Sequence, residues 1–591
     1  MASFTHLPAE LMEYVYSYLD QPALYAVCQL NRRLHALVVP FLYRHVDLFI
    51  RSGDRLPRID RFCLNVTKHR RLARRVTSIR LGPSPEEDVR EGQRWITRDN
   101  HFDDEAMYGL AMKTLEGESL VSSDYLRDAL LMREYAAYAA LILIVLPKLH
   151  SLHLADFKTA SIHHVHAMLW SLKPTGGRNT RHASDNLMQQ LSGIKTVTFN
   201  VDKLSGLAYR KSTARFDVEP VLNLPNVQEL EFSIPDVNRH NTLGVPFQHI
   251  TPWRSQHGLH NPENLANITR LVIRHSDADL QNLQPMLNGS TRLQSFTYDI
   301  FYDCNERANA PQVEPSQVLV ELLLGLPFIL AFQPMAPAIS GVYHWLDLSA
   351  WSDSLPRSLK ILVLGVEYCD TSAFPFQQPR TGEKLYGYLD LTNHVDLHTI
   401  EVPLVFLTGD PDFSITTEIY PLLPPNLKHL SLRTDMSNAQ HHFPFDTSRL
   451  PKSLTFQESE DEARYQINAR MDVSYMFHAA MSLLEFAAEL EAVSIWQPAD
   501  PSLCWFDGQI ADFAQTCRNK SIKSIMVYPM MLRWKKQEHW NLVKEVTVFD
   551  KSRSSSKHHE DLYRGDRGGI PLGLASQYHL HALRNRRLRL R

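Results

Sequence analysis

This chain has few of the residues and patterns with which proteins perform chemistry. Its 591 residues include six cysteines, Cys28, Cys63, Cys304, Cys369, Cys504 and Cys517, and no close pair stands at metal-ligand spacing. Such scatter suits a reducing compartment, cytoplasmic or nuclear. Met1 to Leu7 has no basic segment followed by an apolar one, so no secretory signal is expected. The sequons at Asn65, Asn267, Asn288 and Asn519 therefore carry little meaning. Neither sign of charge dominates, and the formal net charge is −3. Nothing in that balance calls for nucleic acid or an anionic membrane as a partner. Long hydrophobic runs are missing too. Tyr135 to Leu146 stops at Pro147, and Val318 to Phe332 contains Glu321 and Pro327. A bilayer span needs about 20 apolar residues, so both read as buried helices of a soluble fold.

Catalytic signatures are equally scarce. There is no Gly-x-Ser-x-Gly elbow, phosphate-binding P-loop, dinucleotide-binding glycine fingerprint or kinase motif set. His163, His164 and His166 form the densest imidazole cluster. On a helix His163 and His166 share a face, but without cysteines, a fourth ligand or zincin spacing the better reading is a solvated polar face. Gln457 to Glu462 crowds carboxylates together. No glycine shapes a calcium loop among them, so a solvated loop is expected ahead of an apolar helix beginning near Met471. No metal, cofactor or catalytic residue is expected, and the reading is of a protein that is not an enzyme.

What is present begins at the N-terminus. Pro8 suits the first turn of a helix, and Leu11, Tyr14, Val15, Tyr18 and Leu19 then recur as one apolar stripe. Asp20-Gln21-Pro22 breaks that helix, with Asp20 as a cap for the next, which carries Leu24, Val27 and Cys28. Asn31 caps a third short helix bearing Leu34, Leu37 and Val38, which Pro40 is expected to end. Three helices in roughly forty residues bury too little surface to be robust alone, so some of these apolar residues must meet another surface. The order Leu7-Pro8-Ala9-Glu10-Leu11, Val15, Tyr18-Leu19, Leu24, Val27-Cys28, Leu30-Asn31-Arg32-Arg33-Leu34 and Leu42-Tyr43-Arg44 resembles an F-box. In that family the module is a small helical hook that docks onto the Skp-type adaptor of a cullin-based ubiquitin ligase. The chain looks like many fungal members, with Leu42-Tyr43-Arg44 where others have Leu-Trp-Arg. The contacts that the resemblance implies are Leu7, Pro8, Leu11, Val15, Leu19, Leu24, Val27, Leu30 and Tyr43.

Beyond the hook the chain is too long for one ordinary core, and hydrophobic and charged fractions of 44% and 21% fit a folded, soluble protein. One pattern keeps returning, apolar-x-x-apolar-x-apolar. Its clearest copies are Leu149/Leu152/Leu154, Val227/Leu230/Phe232, Leu359/Leu362/Leu364 and Leu427/Leu430/Leu432, each with Leu-Pro just upstream. Further copies are Val76/Ile79/Leu81, Ile194/Val197/Phe199, Ile268/Leu271/Ile273, Leu293/Phe296/Tyr298, Leu397/Ile400/Val402, Leu490/Val493/Ile495 and Ile522/Ile525/Val527. The last two apolar residues alternate as in a strand with one buried face. The proline ends a preceding helix. Helical patterns such as Leu126 to Leu146 and Val318 to Leu326 lie between copies.

Strand and helix alternating at this period resemble a leucine-rich repeat, whose parallel strands line the concave side of a solenoid. The consensus turn residue, Asn or Cys three positions after the last Leu, is replaced here by Ser84, Phe157, Asp202, Pro235, Ser276, Glu367, Val405 and Asp435. An irregular solenoid with long insertions is therefore expected. The fold class is α/β: an F-box-like three-helix module over residues 1–50, an irregular leucine-rich-repeat-like solenoid with loop insertions over 51–535, and a partly disordered C-terminal segment with a basic end over 536–591. Gly82 to Asp104 and Pro174 to Asn186 read as exposed loops or disorder. Lys551 to Gly569 has little apolar content to bury, and the chain ends on a basic stretch, Leu583 to Arg591.

The expected function is that of a substrate receptor: the hook binds the adaptor and cullin complex, and the solenoid binds a protein target. Strand positions flanking the buried ones should face the concave side. They include Glu229, Glu231, Arg270, Arg274, Asp299, Glu401, His429, Arg433, Trp496 and Tyr528, with Trp496 and Tyr528 as anchors. Two other classes stay open, a non-degradative scaffold and an enzyme whose site is assembled from scattered residues.

Overall fold

A computed structural model describes residues 8–19, 21–50, 56–83, 96, 103–115, 123–155, 163–170, 172, 187–200, 219–233, 265–276, 280–303, 346–369, 385–410, 413, 422–437, 439, 455–486, 490–498, 503–529, 542–552 and 559–564. It divides into two compact units, Met1–Ile273 with Asn282–Gln294, and Arg274–Gln281 with Ser295–Arg591. Leu7, the Asp20 cap, the 318–326 helical pattern, the 174–186 loop and the basic end 583–591 lie outside the described residues, as does most of 82–104.

The first unit opens with helices α1 (Ala9–Tyr16), α2 (Gln21–Cys28) and α3 (Arg32–Leu42). Met12, Tyr16, Leu24, Cys28, Leu34 and Val38 make their shared core. Asn31 caps α3, its side-chain oxygen accepting from the Leu34 N–H at 2.8 Å. Pro40 does not end α3, which runs two residues further. In the last turn its missing N–H removes only one backbone bond, and Tyr43 N still reaches Val39 O at 3.1 Å.

Parallel strands follow in chain order: β1 (His45–Ile50), β2 (Ser78–Pro83), β3 (Ser151–Ala155), β4 (Thr196–Asn200) and β5 (Glu229–Ser233), with β6 (Arg270–Ser276) next. The paired apolar residues fall opposite one another. Ile79 and Leu81 face Leu152 and Leu154, which in turn face Val197 and Phe199. β1 belongs to the same series, Val46 and Leu48 lying opposite Ile79 and Leu81. It escapes the sequence pattern because Tyr43 stands where other copies have an aliphatic residue.

Leu126 to Leu146 is not one helix but two, Ser123–Leu131 and Tyr135–Val145. Arg133 breaks them at φ 60°, a left-handed conformation that no helix interior accommodates. The second helix is apolar all round and buried along all but its last residue, as a layer beneath the strands requires. Its Tyr135 hydroxyl donates to Leu48 O at 2.7 Å and accepts from Gly82 N at 3.0 Å, joining the ends of β1 and β2.

The second unit is built the same way. β7 (Ser295–Asp303), β9 (Ile361–Cys369), β11 (Thr399–Pro403), β12 (His429–Arg433), β13 (Ala492–Trp496) and β14 (Lys523–Pro529) are parallel neighbours in that order. Between them β8 (Leu346–Asp347) and β10 (Leu385–Tyr386) form a separate two-stranded pair. Leu362 faces Ile400, Ile400 faces Leu430, and Leu430 faces Val493. Two antiparallel strands, β15 (Leu542–Phe549) and β16 (His559–Arg564), extend the sheet past residue 535, where the repeat reading stops. The acidic Gln457–Glu462 stretch lies inside a helix, Thr455–Phe486, rather than in a loop before it.

The turns into the strands share a backbone device. One carbonyl per turn accepts from two successive N–H groups of the next turn: Arg44 O from Thr77 and Ser78, His150 O from Lys195 and Thr196, Lys428 O from Glu491 and Ala492. The Leu-Pro lead-ins close tight turns, Leu359 N reaching Pro356 O and Leu427 N reaching Pro424 O. Asparagines form a ladder at a different position, one residue before the first apolar one. Asn226 donates to Ser192 O at 2.8 Å, Asn267 to Pro225 O at 3.1 Å and Asn426 to Val395 O at 2.9 Å. Each acceptor sits two residues before the first apolar residue of the preceding copy. Asn267→Ala is therefore expected to lower the first unit's stability in urea unfolding by about 1 kcal/mol. No loss would mean that the ladder is incidental.

Candidate functional site

Two surfaces carry the expected functional residues. On the helical module, α1 has two apolar faces. Met12 and Tyr16, one turn apart, enter the core. Leu11, Tyr14 and Val15 make the other face, continued by Tyr18 in the turn just past the helix, and the four are 53%, 63%, 36% and 72% exposed. Leu30, after α2, is also exposed, as is Pro8. Leu19, Val27 and Tyr43 are half-buried, and the Tyr43 ring stacks on Phe62 at 6.1 Å. Leu24 is the exception among the expected contacts that lie within the described residues. It is buried in the module's core with Cys28 one turn on, so its helix turns that face inward. Sequence reasoning omitted Tyr25, which is exposed beside Leu24; adjacent helical residues point about 100° apart. The module is tied to the body by Gln21, whose amide donates to His45 O at 2.7 Å.

The second surface is the strand face opposite the buried apolar pairs. In the first unit it carries Asp47, Phe49, Arg80 and His153. The Arg80 guanidinium lies 4.4 Å over the Phe49 ring and 3.5 Å from the Asp47 carboxylate. His153 meets the Phe49 edge at 5.1 Å. Burial, then the Arg80 charge, pushes the His153 pKa down to about 3, so the imidazole is neutral when folded. The unfolded value is about 6.5. His153 therefore contributes stability that is present above that pH and lost as the pH falls from 6.5 toward 3. Between pH 7 and pH 5 the thermal midpoint of the wild type should fall further than that of His153→Phe. Equal falls would show that His153 is not the acid-sensitive group. Glu229 and Arg270, on neighbouring strands, pair at 3.6 Å, with Glu231 half-buried on the same strand. The Arg274 and Asp299 side chains lie outside the described residues.

In the second unit the strand face gathers Glu401, Ser431, Arg433 and Trp496. Arg433 is fully buried, donating to Glu401 Oε1 at 2.6 Å and to Asp435 Oδ2 at 2.8 Å. Its guanidinium lies 4.2 Å over the Trp496 ring, and the Trp496 N–H reaches Ser431 Oγ at 3.1 Å. Asp435 also accepts the Val366 N–H at 2.8 Å. Burial pushes the Glu401 carboxyl up, and the Arg433 charge opposes this. Trp496 is thus 6% exposed and held in a polar lock, not presented as an open anchor. His429 is exposed.

Tyr528 stands on the other side of the sheet from the expected one. Val493 faces Ser524 and Ile495 faces Met526, so β14 is offset by one residue from the pattern Ile522/Ile525/Val527. A one-residue offset exchanges the two faces of a strand. Tyr528 shares a face with Ser524 and Met526, and burial raises its hydroxyl to about 12, with Cys504 and Asp507 adding to the rise.

Among the described residues no three His, Cys, Asp or Glu side chains gather as a metal-binding set, and no helix is long and apolar enough to cross a membrane. Residues His163–Trp170 form a helix, but the side chains of His163 and His166 lie outside the described residues. Compared with known proteins, residues 4–49 match the F-box-like family model. No curated protein matches the chain.

Proposed function

We propose that this chain is a substrate receptor of a cullin-type ubiquitin ligase. An F-box-like segment suggests docking on a Skp-type adaptor, and the observation that carries the reading is the exposed apolar face of α1. A folded module that keeps Leu11, Tyr14, Val15 and Tyr18 in water while burying Met12 and Tyr16 has a face to offer a partner. The strands form an irregular leucine-rich-repeat-like solenoid, and the face they expose binds a protein target. Charges there are paired across strands, Asp47 with Arg80 and Glu229 with Arg270. Such a surface suits mixed protein chemistry rather than a phosphate backbone. The chain performs no reaction itself and acts by raising the local concentration of its target near the conjugating machinery.

The test is affinity purification of the full chain from cells, with and without a proteasome or neddylation block. Adaptor and cullin should copurify in both states, and additional proteins should accumulate under the block. Adaptor without cullin would favour a non-degradative scaffold. Recovery of neither would remove the reading.

A further inference from the structure

Tyr14 lies in the last turn of α1 and Tyr18 in the turn just past its end, where the Tyr18 N–H reaches Val15 O at 3.1 Å. Their rings meet edge to face with centroids 5.1 Å apart, and their hydroxyls are 2.9 Å apart. The pair holds two O–H hydrogens, and one of them serves the bond between the rings. The other has no acceptor among the described residues, so in the free chain water accepts it. Both rings stand on the face that the proposed adaptor docking would cover, and covering it removes that water. A hydroxyl buried without an acceptor is strongly unfavourable, so a partner that fits this face must supply one.

We propose that the Tyr14–Tyr18 hydroxyl pair is a specificity-determining donor of the docking face, matched to a neutral acceptor, a backbone carbonyl or carboxamide oxygen, on an otherwise apolar surface of the adaptor. The acceptor is neutral because Glu10 and Glu13 are exposed on the same helix within a turn of Tyr14 and repel a carboxylate. This inference rests on the adaptor-docking reading and deepens it. Apolar burial by Leu11 and Val15 supplies affinity without direction, and the hydroxyl pair fixes the register of the partner.

The test measures binding of purified Skp-type adaptor to the full chain by titration calorimetry, for the wild type, Leu11→Asp, Tyr14→Phe, Tyr18→Phe and the double Phe variant. Phe keeps both rings and removes only the hydroxyls. The double variant should bind roughly five- to a hundredfold more weakly, as expected when a buried acceptor loses its donor. Each single variant, still holding one hydroxyl, should lose less. Thermal midpoints should match the wild type, because both hydroxyls are exposed in the free chain. Undiminished binding by the double variant, with Leu11→Asp unable to bind, would overturn the inference and leave the docking reading intact. Wild-type binding by Leu11→Asp would overturn both. A lower midpoint that accompanies the weaker binding would assign the hydroxyls a structural role and overturn the inference.

Discussion

Leu11→Asp is expected to reduce adaptor binding by about two to three orders of magnitude or more, with little change in the stability of the chain. Leu11 is 53% exposed in the free protein, so a carboxylate there stays in water until a partner arrives. On docking, that charge would be buried without a counter-ion, at a cost of about 3–5 kcal/mol. Leu7→Asp, on the same motif, should act likewise. The contrast with Leu24 is the internal control. Leu24→Asp puts the charge into the module's core among Met12, Tyr16 and Leu34, and should unfold the module as well as abolish binding. Circular dichroism with a binding titration separates the two. Full binding by Leu11→Asp would mean that the face of α1 is not the docking face.

Arg433→Ala is expected to destabilise the second unit by about 3–5 kcal/mol, because it leaves Asp435 buried without its counter-charge. Asp435 is 1% exposed and accepts from both the Arg433 guanidinium and the Val366 N–H, so the truncation removes the cation beside a buried carboxylate. Trp496→Ala should cost a similar amount, since a large buried ring is removed together with its cation–π contact. Trp496 is therefore expected to move stability as well as any target capture. Arg433→Met combined with Asp435→Asn should recover part of the loss, since the Asp435 charge is removed while Glu401 still loses its cation. Chemical unfolding of the wild type, Arg433→Met, Asp435→Asn and the double variant closes a double-mutant cycle that reads the coupling. Additive losses would show that Arg433 and Asp435 do not act as a pair.

Much of this architecture was legible because apolar spacing reports backbone periodicity directly. Leu362, Ile400, Leu430 and Val493 were recognisable as equivalent from spacing alone, and they lie opposite one another in neighbouring strands. Asp435, flagged only as a departure from the consensus turn residue, satisfies a backbone N–H from that position as the consensus residue would. The misread places have physical causes. β14 carries apolar residues at consecutive positions, Ile525, Met526 and Val527, so its pattern cannot distinguish two registers a residue apart. β15 reads Leu-Val-Lys-Glu-Val-Thr-Val-Phe, rich in β-branched residues, but it is antiparallel and has no Leu-Pro just upstream of the kind that marks the four clearest copies. The docking face was legible as a stripe, whereas its separation from the core required three dimensions. Leu11 and Met12 are both apolar neighbours, and only packing against α3 decides which of them turns inward.

The most direct test is assembly. The full chain, a Skp-type adaptor and the adaptor-binding part of a cullin should be mixed and weighed by analytical ultracentrifugation. The account predicts a complex with one copy of each when all three are present, none between chain and cullin when the adaptor is omitted, and none with Leu11→Asp. A chain that sediments alone beside an intact adaptor–cullin complex would contradict it.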